Sequence, residues 1–258
     1  ATGSGATAGD IDIKAGGGAN NGGDITVSGG YANRNGGDIN VVSGGSATSQ
    51  SGSVRVTSAS SLGSSGNMVA SSGNATTGVS GKFVVKSGRG SLSGSVAIGS
   101  GDATEGGSGS VQLTTGAAIG GSAGSINLHV GSSGQTGGDV SIVAGQASEA
   151  TGGSVIVSSG VGGPASQSGN VSLRTAPLAS EGASSGTIAI HTGSARGSSG
   201  SISLQSGDSA SGQAGDIEFA AGASAGSKQG GNVLFKGGAS TSAAGGAVDI
   251  VSGQGSAS

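Results

Sequence analysis

The chain has no cysteine and no tryptophan, and among its 258 residues only one tyrosine (Tyr31), three phenylalanines and two prolines. Without cysteine there are no disulfide staples and no thiolate metal sites. With aromatics at 2 per cent, the large side chains that fill an ordinary globular core are missing. Charge is also scarce. Charged residues make up 9 per cent, the net charge is −3, and the ten lysines and arginines are scattered from Lys14 to Lys236. No basic stripe follows a phosphate backbone, so nucleic acid is not an expected partner. No apolar run approaches the roughly 18–20 residues that a membrane span needs. No helical period exists either. The glycine-rich stretches Gly99-Ser100-Gly101 and Gly160-Val161-Gly162-Gly163 lack the Lys-Ser/Thr and the helix that a phosphate loop requires.

Glycine is what the chain has, 61 residues of it, and it is placed in order. Seventeen glycines, beginning Gly9, Gly23, Gly37, Gly52 and ending Gly231, Gly246, each start the same short pattern. The second place after each is Ile, Val, Met or Phe, as in Ile11, Val140 and Val248. The fourth place is again apolar, as in Ile13, Leu113, Ile142, Phe219 and Ile250. The third place between them is mixed, with Asp12, Thr26, Arg55, Gln112 and Ser141 among its occupants. Alternation of period two predicts a short strand with one buried face. The seventh place is glycine in fifteen repeats and Ala59 or Ala176 in the other two. A linker without structure has no reason to hold apolar residues at thirty-four paired positions.

A unit this small cannot bury its own apolar pair, and stacking of successive units would do so. The expected fold is therefore all-β: one parallel β-solenoid (β-helix) of seventeen repeats of about 15 residues, one repeat per coil. The seventh-place glycines are expected at corners, with φ > 0 or a close backbone approach. The solenoid is expected over 9–253, with 1–8 as a flexible lead-in or junction segment and 254–258 as a tail. Repeats four and twelve share the substitution of the corner glycine, a return-segment Leu (Leu62, Leu178) and a preceding Ser-Gln-Ser-Gly. A larger unit of about eight repeats follows, running over 37–152 and 153–258. The last repeat, Gly246–Val251, is as regular as the interior ones, so open strand edges and end-to-end association into a filament are expected.

Units such as Gly152-Gly153-Ser154-Val155-Ile156-Val157-Ser158-Ser159-Gly160 resemble the Gly/Ser-rich tandem repeats of algal and stramenopile cell-surface proteins and extracellular fibrils. The resemblance covers the whole chain. It implies an extracellular or cell-surface structural protein of a fibril, sheath or stalk, and it carries over no catalytic or ligand residue. The alternatives are an ice-binding or a carbohydrate-binding surface solenoid. The third-place residues form no regular array of the kind a lattice would match.

No enzymatic activity, catalytic residue or cofactor is expected. His129 and His191 lie four repeats apart with no nucleophile motif beside them. No metal centre is expected. Asp10, Asp24 and Asp38, stacked in successive coils, are the one candidate calcium ladder, against the reading that each accepts backbone N–H bonds at a corner. Asn74-Ala75-Thr76 and Asn170-Val171-Ser172 are sequons, so Asn74 and Asn170 are candidate glycosylation sites and glycans are candidate attachments.

Overall fold

The computed structural model describes residues 8–178 and 184–255. Nearly all of the expected lead-in and the last three residues of the expected tail lie outside the described residues. The chain divides into two units, Ala1–Asn127 and Leu128–Ser258.

Each repeat has the same two parts. From the starting glycine to the seventh place the backbone runs without a bend, and the return segment that follows contains one bend in every fully described loop. Seven loops are closed by a backbone hydrogen bond from the amide of the next starting glycine to the seventh-place carbonyl. The pairs are Gly23–Gly16, Gly37–Gly30, Gly52–Gly44, Gly153–Gly145, Gly169–Gly160, Gly231–Gly222 and Gly246–Gly238, at 2.8–3.0 Å. One further backbone bond, Ser166 N–H to the Gly163 carbonyl at 3.0 Å, closes a turn with Pro164 and Ala165 at its centre. Ala165 holds φ at 60°, the left-handed conformation that the third residue of a Pro-initiated type II turn requires.

The expected β-solenoid is not what the chain forms. Among the described residues there is no helix and no strand, and apart from these eight bonds the backbone makes no others with itself. Nor are the thirty-four apolar positions buried. No described hydrophobic residue is buried, and Val140 and Ile142 keep 59 and 69 per cent of their surface. The accessible surface is 25,472 Å². A compact protein of 23.2 kDa exposes about 9,700 Å² and its unfolded chain about 34,000 Å². The β-solenoid and β-helix descriptions are thus overturned by the absence of any ladder and of any core.

The physical reason lies in the loops. Alternation is a local property, set by two apolar residues in each unit. A ladder is non-local and needs a constant offset between neighbouring strands, because a slip of one residue turns every side chain to the opposite face. Spacings between starting glycines vary from 13 to 17 residues, and the loop-closing bond uses the starting amide within its own chain segment. The alternation appears in exposure only in part, since Val84 at a third place keeps 59 per cent while Ile11 at a second and Ile250 at a fourth keep 89 and 90 per cent. Second- and fourth-place side chains such as Ile25 and Val27 keep 55 and 72 per cent of their surface, whereas Val69 and Ile156 at the third place keep 84 and 86 per cent.

The corner expectation is corrected for φ and met in part for close backbone approach, since seven of these glycines accept the closing bond. Among the described residues positive φ occurs only at Gly106 and Ala165, and a Cβ on Gly145 or Gly207 would meet open space. Crowding of a Cβ falls instead on the starting glycine. A Cβ on Gly153 would stand 3.2 Å from the Gly145 nitrogen and 3.4 Å from the Ala144 Cβ.

Candidate functional site

The best-covered part of the repeat is the junction between the end of one unbent segment and the start of the next. Its key residue stands at the sixth place, one residue before the carbonyl that closes the loop. Ser43, Ser87, Ala144, Thr175, Ser206 and Gly237, all sixth-place residues, are half-buried, and Gly162 is the one other described residue so covered. Wherever the sixth place carries a side chain, that side chain lies against the next starting glycine, as Ser43 does on Gly52, Thr192 on Gly200 and Ala221 on Gly231. A Cβ on the starting glycine would be crowded by it at Gly138 and Gly231, at 3.0 and 3.3 Å, and would make ordinary contact with it at the others.

Loop closure goes with a small residue at the sixth place. All five junctions with Ala or Gly there (Ala15, Gly29, Ala144, Ala221, Gly237) make the closing bond. Neither Thr115, Val130, Thr175 nor Thr192 belongs to a junction that makes it. A β-branched side chain carries a second heavy atom at Cβ with restricted χ1, and it presses that atom on the glycine. Val130 Cγ1 stands 3.0 Å from a Cβ position on Gly138, the tightest of these side-chain approaches. Serine is intermediate, since the junctions of Ser43 and Ser159 close and the other five that precede a loop do not.

The ninth place shapes the bend. Ser46, Ser61, Ser133, Ser209 and Ser240 all stand there, and each hydroxyl accepts a backbone N–H two or three residues on, at 2.9–3.2 Å for the closest bond of each. These are serine turns, in which a short side chain supplies the acceptor that the backbone lacks. Glycine takes the ninth place where the loop folds back on it, as at Gly162, whose missing Cβ leaves room for the Gln167 carbonyl. The sixth place and the serine turns at the ninth were not recognised from the sequence, where the ninth place stands out only by its recurrent alanine, as in Ala32, Ala75 and Ala147. The signal was present as two columns of mostly small residues and serine, broken by Thr115, Val130, Thr175 and Thr192 at the sixth place and by Leu178 at the ninth, and less visible than the Ile and Val columns beside them.

The residues singled out for chemistry stay apart. Asp10, Asp24 and Asp38 are exposed, and no group of three His, Cys, Asp or Glu able to hold a metal exists among the described residues. Asp12 pairs instead with Lys14 at 2.7 Å, on an exposed surface where such a pair contributes little. His129 and His191 are exposed, and His129 Nδ1 lies 2.8 Å from its neighbour's carbonyl at Val130. Asn74 is exposed in a return segment just before the bend at 76–78, and Asn170 is exposed next to a starting glycine. The described residues enclose no pocket, and with no helix among them there is none long and apolar enough to cross a membrane.

One contact links equivalent places of consecutive repeats. Phe219 and Phe235, both at the fourth place, meet edge to face with ring centroids 6.0 Å apart. This is a favoured geometry for two aromatic rings, and it puts like on like along the apolar face.

Compared with family models, curated proteins and solved structures, the chain matches none.

Proposed function

We propose that this chain is a structural repeat protein of an extracellular or cell-surface fibril, sheath or stalk, and that it acts by self-association, not by catalysis. The observation that carries the reading is the exposed apolar pair, repeated at the same two places in all seventeen units. Apolar side chains exposed in this number drive association in water, and a repeated pair suits a partner that carries the same repeats. The Gly/Ser-rich repeats it resembles support the same role. Asn74, displayed on a return segment, is the glycan attachment that fits a surface location best.

The test is negative-stain electron microscopy with sedimentation across a dilution series of the purified chain. Filaments or sheets whose amount rises with concentration are expected. A monomer that persists at every concentration would remove the basis of the reading.

A further inference from the structure

Resting on that reading of self-association, we propose the partner and its geometry: a second copy of this chain, lying parallel and in register, joined along the unbent segments by backbone hydrogen bonds and by like-on-like contact of the second- and fourth-place side chains.

Three observations converge on this. The first is the free backbone. Among the described residues the backbone bonds engage the starting glycines, the seventh-place carbonyls and one turn, so the residues between make no backbone–backbone bond, and of their carbonyls only that of Val130 meets a side chain, His129. Such a row of groups is a template for another strand. The apolar alternation beside it supplies the matching side-chain face.

The second observation identifies the occupant. Successive spacings run 14, 14, 15, 14, 15, 13, 15, 15, 14, 15, 16, 17, 14, 15, 16 and 15 residues. A partner with a uniform 15-residue period would slip at nine of the sixteen steps, and seven of those slips are odd and present the wrong face. A copy shifted by one repeat fares no better, and the reversed order differs from the forward one, which disfavours an antiparallel copy. Only an unshifted parallel copy aligns all seventeen units and all loops with no correction.

The third observation concerns side chains. In that arrangement every residue faces itself. Identical side chains stack well when they are β-branched or aromatic and when charge is sparse, and here charged residues are 9 per cent. The available surface is ample. A stable obligate interface buries roughly 2,000–5,000 Å², and this chain exposes 25,472 Å².

The absence of native cysteine makes a direct test possible. Ser141→Cys, at an outward third place, is spin-labelled and allowed to assemble, alone and diluted with unlabelled chain. Parallel in-register copies place the labels about 4.8 Å apart, so the spectrum should collapse toward a single exchange-narrowed line and recover its three lines on dilution. Ser203→Cys, at the same place four repeats on, should behave identically and guards against a local effect of one label. Assemblies that form with no exchange narrowing at either site would overturn the parallel register while leaving self-association standing. Failure of the unlabelled chain to assemble at all would overturn both.

Discussion

The Gly153 amide donates to the Gly145 carbonyl at 2.9 Å, and between the two glycines the chain makes a closed loop of the kind that recurs along the molecule. A side chain on Gly153 would meet the Gly145 nitrogen at 3.2 Å and Ala144 Cβ at 3.4 Å. Gly153→Val should therefore open this loop. The loss expected is that of one exposed-end hydrogen bond, about 1 kcal/mol locally. The amide of residue 153 should lose its protection from hydrogen exchange, while the distant loop closed by Gly231 and Gly222 should be unchanged.

The dependence on side-chain size makes a reciprocal prediction. Val130→Ala removes the Cγ1 that stands 3.0 Å from the Cβ position of Gly138, so the Gly138 amide should bond to the Gly131 carbonyl as its counterparts do. Ala144→Val should do the reverse at Gly153. Amide temperature coefficients of Gly138 and Gly153 measure both. The two should move in opposite directions, and movement of both in the same direction would rule out steric control by the sixth place.

The repeat, its boundaries and its alternation were legible in the sequence because they are local. Ile25 and Val27 are less exposed than Val69 and Ile156, but none of the four is buried. What could not be read was whether that face meets a partner within the chain, since pairing depends on loops whose lengths differ from unit to unit. Glycine misled for a related reason. Its frequency at the seventh place suggested a corner conformation, whereas the steric demand falls on the starting glycine, under the side chain of the preceding sixth place. The Asp10, Asp24 and Asp38 ladder presupposed stacked coils and has no geometry to stand on without them.

At the ninth place, Ser240 accepts from the amides of Ala243 at 3.0 Å and Ser242 at 3.4 Å. Ser240→Ala leaves these donors to water on an exposed loop, so the cost should stay near the low end of a hydrogen bond, about 0.5–1 kcal/mol. The bend at 241–243 should loosen, seen as amide chemical shifts of 242 and 243 moving toward random-coil values. Ser240→Thr retains the hydroxyl and should keep the shifts.

Ala165 carries φ of 60° behind Pro164. Glycine adopts this conformation without a Cβ penalty that for other residues is about 1–2 kcal/mol. Ala165→Gly should raise the population of the turn closed by Ser166 and Gly163, measured as slower exchange of the Ser166 amide. Ala165→Val should lower it.

The sharpest separation of function from folding comes from the apolar pair itself. In a stacked core, Ile142→Asp would place an unpaired charge among apolar side chains and cost several kcal/mol. In the chain as it stands, Ile142 keeps 69 per cent of its surface and Val140 keeps 59 per cent, so an aspartate there remains solvated. The double variant Val140→Asp, Ile142→Asp should leave the neighbouring loop intact, with the Gly153 amide still bonded to Gly145. Its effect should appear on association instead, because in an in-register assembly each new carboxylate faces its own copy and like charges repel at close range. The expected result is unchanged amide protection at Gly153 in dilute solution together with a marked rise in the concentration needed for assembly, reversed at acid pH where the carboxylates are protonated. Loss of the loop bond in the dilute monomer would show that the pair holds the unit together from within, and assembly at the unaltered concentration would show that this face takes no part in joining copies.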